Sequence, residues 1–266
     1  MTASPKLPAK PDEHDRRVDE DEQPFISHIV ELRARLLRCV LIVFLLFFPI
    51  YYYANAIYTF VAAPMMSRLP EGSSMIATEV ASPFIAPFKL SMYVAVFAAM
   101  PFLLHQIWGF VSPGLYLREK RFAAPLLVSS IVLFYLGIAF AYFVVFPIVF
   151  GFFANVTPLG VTMMTDINRY LDFALTTFFA FGLTFEIPIA TLLVVWSGIT
   201  TTQALIDKRP YIIVGCFVVG MIFTPPDVLS QVLLAVPMWL LFEVGVLAAR
   251  LIERRAQPVA ESTQQT

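Results

Sequence analysis

Charge is scarce in this chain. Of its 266 residues only 14% are Asp, Glu, Lys or Arg, and the net charge is −1, where an average soluble domain carries about 25% charged residues. So little polar surface cannot clothe a globule in water. The same balance argues against nucleic acid as a partner, because a binder of phosphates needs a clustered basic excess. Cysteine is nearly missing too. Cys39 and Cys216 both sit in apolar runs, with no Cys-x-x-Cys and no histidine at ligand spacing. Neither a disulfide framework nor a metal site is predicted, and small side chains packed on helix surfaces account for both. There is no Gly-x-x-x-x-Gly-Lys-Ser/Thr loop, no His-Glu-x-x-His helix and no Gly-x-Ser-x-Gly elbow. ATP hydrolysis and the usual hydrolytic chemistries lack their parts, so the chain reads as a non-enzyme without a cofactor.

What is abundant is apolar surface: 59% of residues are hydrophobic, 26 of them Phe, and the mean hydropathy is +0.77. The fold class this predicts is an all-α integral membrane protein in contact with the lipid bilayer. Residues 1–23, rich in Pro, Asp and Glu without apolar periodicity, are expected to form a disordered tail. Arg16 and Arg17 lie there in an acidic run with no apolar stretch or cleavage site behind them, so no signal or transit peptide is read. A transmembrane domain follows over 24–250, and 251–266 form a second tail. Its apolar stretches are 39–63, 84–108, 122–150, 170–196, 211–223 and 228–249. A hydrocarbon core of about 30 Å needs about 20 helical residues, so the last two are expected to be short helices that deform the membrane locally.

Basic residues set the orientation. Residues 1–38, the loops 109–121 and 197–210, and residues 250–266 hold seven, three, two and three Lys or Arg, while the other side holds Arg68 and Arg169. Six transmembrane helices with both termini cytoplasmic satisfy this asymmetry; five or seven would strand a basic tail outside. The acidic amino tail is unlike an organelle transit peptide, which points to a bacterial or archaeal cytoplasmic (inner) membrane. Pro49, Pro101, Pro147, Pro188 and Pro237 each remove a backbone hydrogen bond inside a predicted span, so a curved bundle is expected.

Three acids stand out. Glu31 lies in Ser27-His-Ile-Val-Glu-Leu-Arg-Ala-Arg-Leu, an amphipathic lead-in to the first span, where the plain alternative to a binding role is an i,i+4 pair with Arg35. Glu119 lies in Phe110-Val-Ser-Pro-Gly-Leu-Tyr-Leu-Arg-Glu-Lys-Arg, where the plain alternative is a solvated loop charge. Glu186 has no easy alternative. In Phe181-Gly-Leu-Thr-Phe-Glu-Ile-Pro it falls mid-span, where a carboxylate facing lipid costs about 2.5–3.5 kcal/mol, so it must face protein or water. Protonation, or a hydrogen bond to the carbonyl that Pro188 frees, would satisfy it structurally; otherwise an intramembrane acid marks a functional path. Glu243 and Asp227 are further acids of interest, Asp227 as a helix N-cap.

These segments, together with Thr224-Pro-Pro-Asp-Val-Leu-Ser-Gln, resemble the TatC family of twin-arginine protein translocase subunits, in order and spacing from Ser27 to Arg250. The resemblance implies a cup-shaped, six-helix receptor for signal peptides bearing two consecutive arginines, working with the protonmotive force to move folded cargo. It implies that Glu31 and Glu119 contact the arginine pair and that Glu186 is the intramembrane polar site. Thr224, Asp227 and Gln231 would contact single-span partner subunits of the TatA and TatB types in a homo- and hetero-oligomer. Ile29-Val30 departs slightly from the family pattern, an apolar change of conserved volume. Whether Glu186 exchanges a proton or polarises a hydrated cavity for a partner's polar residue stays open; the second is preferred. The rival classes are an ion-coupled small-molecule transporter, disfavoured because no repeated halves are found, and a passive scaffold, in which Glu31 and Glu119 would be freely replaceable.

Overall fold

The computed structural model describes residues 13–68, 75–111, 120–158, 164–223 and 227–264. Among them there is no β-strand, and Ile76 and Asp166 form one isolated parallel bridge. The elements in order are α1 (Glu13–Tyr52), α2 (Ala54–Met66), α3 (Ser82–Val111) and α4 (Lys120–Phe140). A π-helical turn (Ala141–Val145) then leads into α5 (Phe146–Val156), followed by α6 (Ile167–Thr184), α7 (Ile187–Trp196) and α8 (Thr202–Asp207). The last two are α9 (Arg209–Phe223) and α10 (Val228–Gln264). Among the described residues, five segments are long and apolar enough to cross a membrane: Ile29–Tyr52, Ser82–Phe110, Ala124–Val156, Ile167–Trp196 and Val228–Leu251.

The helical backbone of α1 runs from Glu13. Two expectations change. The first apolar run, read as one span over 39–63, is divided at Tyr53. There the backbone leaves helical geometry (φ −99, ψ 12), and Tyr53 N–H closes the turn on Ile50 C=O at 3.0 Å. Ile29–Tyr52 alone has 24 residues, about 36 Å of helix, so α2 is free to fold back. It is held by Tyr142 Oη donating to Phe60 O at 2.9 Å and Tyr170 Oη donating to Val61 O at 2.6 Å. Finally, only α9 of the last pair is short. Its 15 residues rise about 22 Å, whereas α10 stays apolar for 24 residues from Val228 to Leu251.

Proline acts at two of the five expected places. The π-helical turn ends two residues before Pro147, and α6 gives way to α7 at Phe185–Glu186, two residues before Pro188. In each case the missing N–H leaves a carbonyl one turn earlier without its helical donor. The helices containing Pro49, Pro101 and Pro237 continue through them.

The core centres on the broken α6–α7 pair, whose apolar window is 61% buried against 6% for α1. Phe134, Phe146, Phe181, Leu171 and Leu175 are fully enclosed there. Two glycines let helices approach. A Cβ on Gly137 of α4 would strike Phe181 O of α6, and one on Gly245 of α10 would come within 2.9 Å of Pro188 Cα on α7.

Candidate functional site

At one end of the bundle, the start of the apolar part of α1 lies against the end of α3, and Arg35 is the clasp. Its Nε and Nη2 donate to Glu31 Oε1 at 2.9 and 2.6 Å, so the i,i+4 pair read as the plain alternative does form. The same guanidinium reaches across to α3: Nη2 donates to Gly109 O at 3.1 Å, and Nη1 to Gln106 O and Oε1 at 3.3 and 3.4 Å. Gly109 lies in the last turn of α3, where carbonyls have no intrahelical donor and a cation is favoured. A Cβ on Gly109 would overlap Arg35 Nη1, so with any other residue there the guanidinium would have to shift. Glu31 itself keeps 43% of its side chain exposed. Glu119 lies outside the described residues, but the chain that carries it leaves α3 at Val111 and re-enters helix at Lys120.

Glu186 occupies the break between α6 and α7. Its N–H donates to Leu183 O at 3.0 Å and its carbonyl accepts from Ala190 N–H at 2.9 Å, which closes the backbone around the interruption. The side chain is half-buried, and the Ser130 hydroxyl of α4 stands beside the carboxyl. The Ser130 hydroxyl is the polar neighbour of the carboxyl, and no well-formed hydrogen bond satisfies the buried Glu186 Oε1. An orphaned buried carboxylate oxygen is costly and needs either a proton or a polar visitor.

Asp227 caps α10 as expected, with Oδ1 accepting Ser230 N–H at 2.7 Å, while Oδ2 is buried without a partner. Gln231 donates from Nε2 to Phe217 O at 3.1 Å and lies against Gly220, which ties α10 to α9. Thr224 lies outside the described residues. The sequence-read residues thus fall into three separate places: Glu31 at one end, Asp227 and Gln231 at the α9–α10 turn, and Glu186 in between along α6–α7.

Other polar groups were not legible in advance. Glu243 of α10 was already singled out in the sequence, but its partner was not: Arg209 at the start of α9 pairs with it at 2.5 Å. Lys89 of α3 pairs with Asp172 of α6 at 2.6 Å, and its position inside an apolar run is the signal that a partner was required. Asp166 caps α6 and holds the segment at Thr78; an Asp just before an apolar periodic run is the sequence sign of such a cap. A cavity of about 290 Å³, lined by Val61, Val94, Phe97, Tyr135, Ile138 and Phe178, opens between α2, α3, α4 and α6. Another of about 500 Å³ lies under α2, lined by Tyr58, Met66, Met75 and Ile167, with neither Glu31 nor Glu186 in its lining. Burial pushes the Tyr58 hydroxyl up from its ordinary pKa, so it serves as a donor, to Met75 Sδ at 3.0 Å.

Comparison with known proteins gives a consistent result. The family model described as Sec-independent protein translocase protein (TatC) matches residues 27–237. A protein of that name from Azotobacter chroococcum is 61% identical over 92% of this chain and 96% of its own length. Its Escherichia coli K12 counterpart is 54% identical over 87% of this chain and 90% of its own. A crystal structure described as the twin-arginine translocase receptor TatC superimposes with a TM-score of 0.76 at 36% identity, covering 84% of this chain and 98% of that one.

Proposed function

Since the chain belongs to the TatC family of Sec-independent protein translocase proteins, we propose that it is the signal-peptide receptor of a twin-arginine translocation system, with Glu31 and Glu119 receiving the arginine pair. The general role, a multi-pass membrane protein of protein translocation, follows from family and fold. The receptor role rests on one observation: the Glu31 carboxylate is pinned by Arg35 to the end of α3, yet 43% exposed, beside the helix end from which the Glu119 loop departs.

Carboxylates at this place can take the planar fork of Arg, whereas Lys offers a point charge, which gives selectivity. Exposed ion pairs contribute only about 0.2–1 kcal/mol each, so the apolar part of the signal docks against the helices as well. The apolar cavity lined by Phe97 and Tyr135 has the matching chemistry. The protein sits in the cytoplasmic membrane as six spans, α9 being the short one, in a cup with both termini cytoplasmic. This arrangement puts Arg33, Arg35, Arg38 and the Lys120 loop on the side where basic residues are retained. Thr224, Asp227 and Gln231 form the contact for single-span partner subunits of the TatA and TatB types, in an assembly with several copies of each.

No nucleotide motif is present, so transport energy comes from the membrane, where one charge crossing 100 mV releases about 2.3 kcal/mol. Glu186 polarises a hydrated cavity that receives a polar residue of the partner, a role that suits its unpartnered oxygen. The test is binding of synthetic Arg-Arg and Lys-Lys signal peptides to wild type, Glu31→Ala and Glu119→Ala in nanodiscs. Loss of Arg-Arg preference in either variant is expected. Equal binding of both peptides by all three proteins would overturn the receptor role and favour an ion-coupled transporter built on Glu186.

A further inference from the structure

The guanidinium of Arg35 already makes the contact with Glu31 that a signal-peptide arginine would make. Both of its bonds go to one oxygen, Oε1, from Nε at 2.9 Å and Nη2 at 2.6 Å. A carboxylate offers about four lone-pair directions, two on each oxygen, so Oε1 is fully used. An incoming guanidinium confined to Oε2 would make the same single-oxygen contact that an ammonium makes. The geometric basis for preferring Arg over Lys would then vanish at this residue.

We propose that Arg35 is a resident stand-in for the peptide arginine, holding Glu31 until the peptide guanidinium displaces it and takes both carboxylate oxygens. The displaced side chain is not stranded. Nη1 and Nη2 already rest on Gln106 O and Gly109 O, and carbonyls near a helix C-terminus attract a cation. The room for this settled position is made by Gly109, whose Cβ, were it present, would overlap Arg35 Nη1. The exchange also has a direction. Arg35 gives up its tie within α1 and keeps its tie to α3, the helix whose end begins the chain leading to Glu119. Occupation of the first carboxylate thereby leaves the tie between α1 and α3, and with it the anchor of the second carboxylate, in place.

This inference rests on the receptor reading, and the experiment separates the two. Full-length Arg35→Gln and Arg35→Lys proteins in nanodiscs are titrated with Arg-Arg and Lys-Lys signal peptides, beside wild type and Glu31→Ala. Thermal unfolding of each identifies the variants that fold. Gln is too short to reach Gly109 O and does not compete as a cation, while Lys keeps the charge and loses the fork, which covers the case in which the Gln variant fails to fold. Removing this partly buried internal competitor is expected to tighten Arg-Arg binding about two- to fivefold for Arg35→Gln, and by a smaller factor for Arg35→Lys. Unchanged or weaker Arg-Arg binding in the folded variants overturns the stand-in role and makes Arg35 a positioning residue. If Glu31→Ala keeps the full Arg-Arg preference, this site falls, and the stand-in with it.

Discussion

Thr78 Oγ1 donates to Asp166 Oδ2 at 2.7 Å across 88 positions of sequence, and Thr78 N–H donates to the same oxygen at 3.0 Å. Asp166 Oδ1 meanwhile accepts the N–H groups of Asn168 and Arg169 at 2.9 and 3.1 Å. One carboxylate therefore caps α6 and pins the segment that leads from α2 to α3. Asn168 Nδ2, donating to Ser82 Oγ at 2.7 Å, adds a second tie between the same two elements.

The Thr78 hydroxyl first, then the N–H groups of Thr78, Arg169 and Asn168, hold the Asp166 carboxyl at about 2, below its usual 3.8. A depressed carboxylate stabilises the fold fully above its unfolded value and loses that contribution as pH falls through its folded value. The unfolding temperature of wild type in detergent is therefore expected to drop between about pH 4 and pH 2. Asp166→Asn should start lower at pH 7 and show a shallower drop. Parallel pH profiles would mean that the carboxylate charge is not what holds the two elements together.

Glycine substitutions separate close helix approach from plain helix propensity. Gly137→Ala drives a Cβ into Phe181 O, a backbone atom that cannot swing aside, so α4 and α6 must part. Overpacking of this kind costs about 1–3 kcal/mol. Gly151, inside α5, has nothing within 4 Å of its would-be Cβ, and Gly→Ala in an open helix position gains about 1 kcal/mol. Thermal unfolding of the two purified variants should move in opposite directions. A stabilised Gly137→Ala would show that the α4–α6 contact has slack.

The sequence was most informative where one residue type has one physical consequence. Apolar runs gave the membrane class, Asp227 before an apolar run gave a cap, and the i,i+4 spacing of Glu31 and Arg35 gave their pair. It was least informative where the outcome depends on who arrives from far along the chain. Arg35 reaches Gly109 over 74 positions, and nothing in the local pattern announces a carbonyl there. The division at Tyr53 was hidden for a similar reason: the residues on both sides are equally apolar, and α2 folds back because Tyr142 and Tyr170 receive it. Two prolines of five interrupted their helices, because a missing N–H fixes where strain can be released and the surrounding packing decides whether it is.

Arg209 and Glu243 join the two ends of the α9–α10 hairpin at 2.5 Å, with side chains 40% and 27% exposed. At that exposure the pair should be worth about 0.5–1 kcal/mol in a double-mutant cycle of Arg209→Gln and Glu243→Gln. Each single change should cost more than this coupling, because it leaves the other charge at the membrane edge alone. Unfolding of the four proteins in detergent measures the cycle. A coupling near zero would reduce the contact to coincidence and leave Gln231, bonded to Phe217 O, as the hairpin's main polar tie.

Glu186 sets stability against function. Its Oε1 is buried with no well-formed hydrogen bond and only the Ser130 hydroxyl beside it, in a helix break that Pro188 prevents from closing. An unsatisfied buried polar group costs about 1–3 kcal/mol, and 1 kcal/mol moves the midpoint of a chain this size by about 2–4 °C. Glu186→Leu should therefore unfold several degrees higher than wild type in detergent while losing transport of a twin-arginine cargo in vesicles. Glu186→Gln keeps a polar group of the same shape but has no proton to exchange. If the side chain serves by polarising a cavity for a partner, Gln retains most of the transport. Transport as low with Gln as with Leu, at wild-type stability, would assign proton exchange to this carboxylate instead.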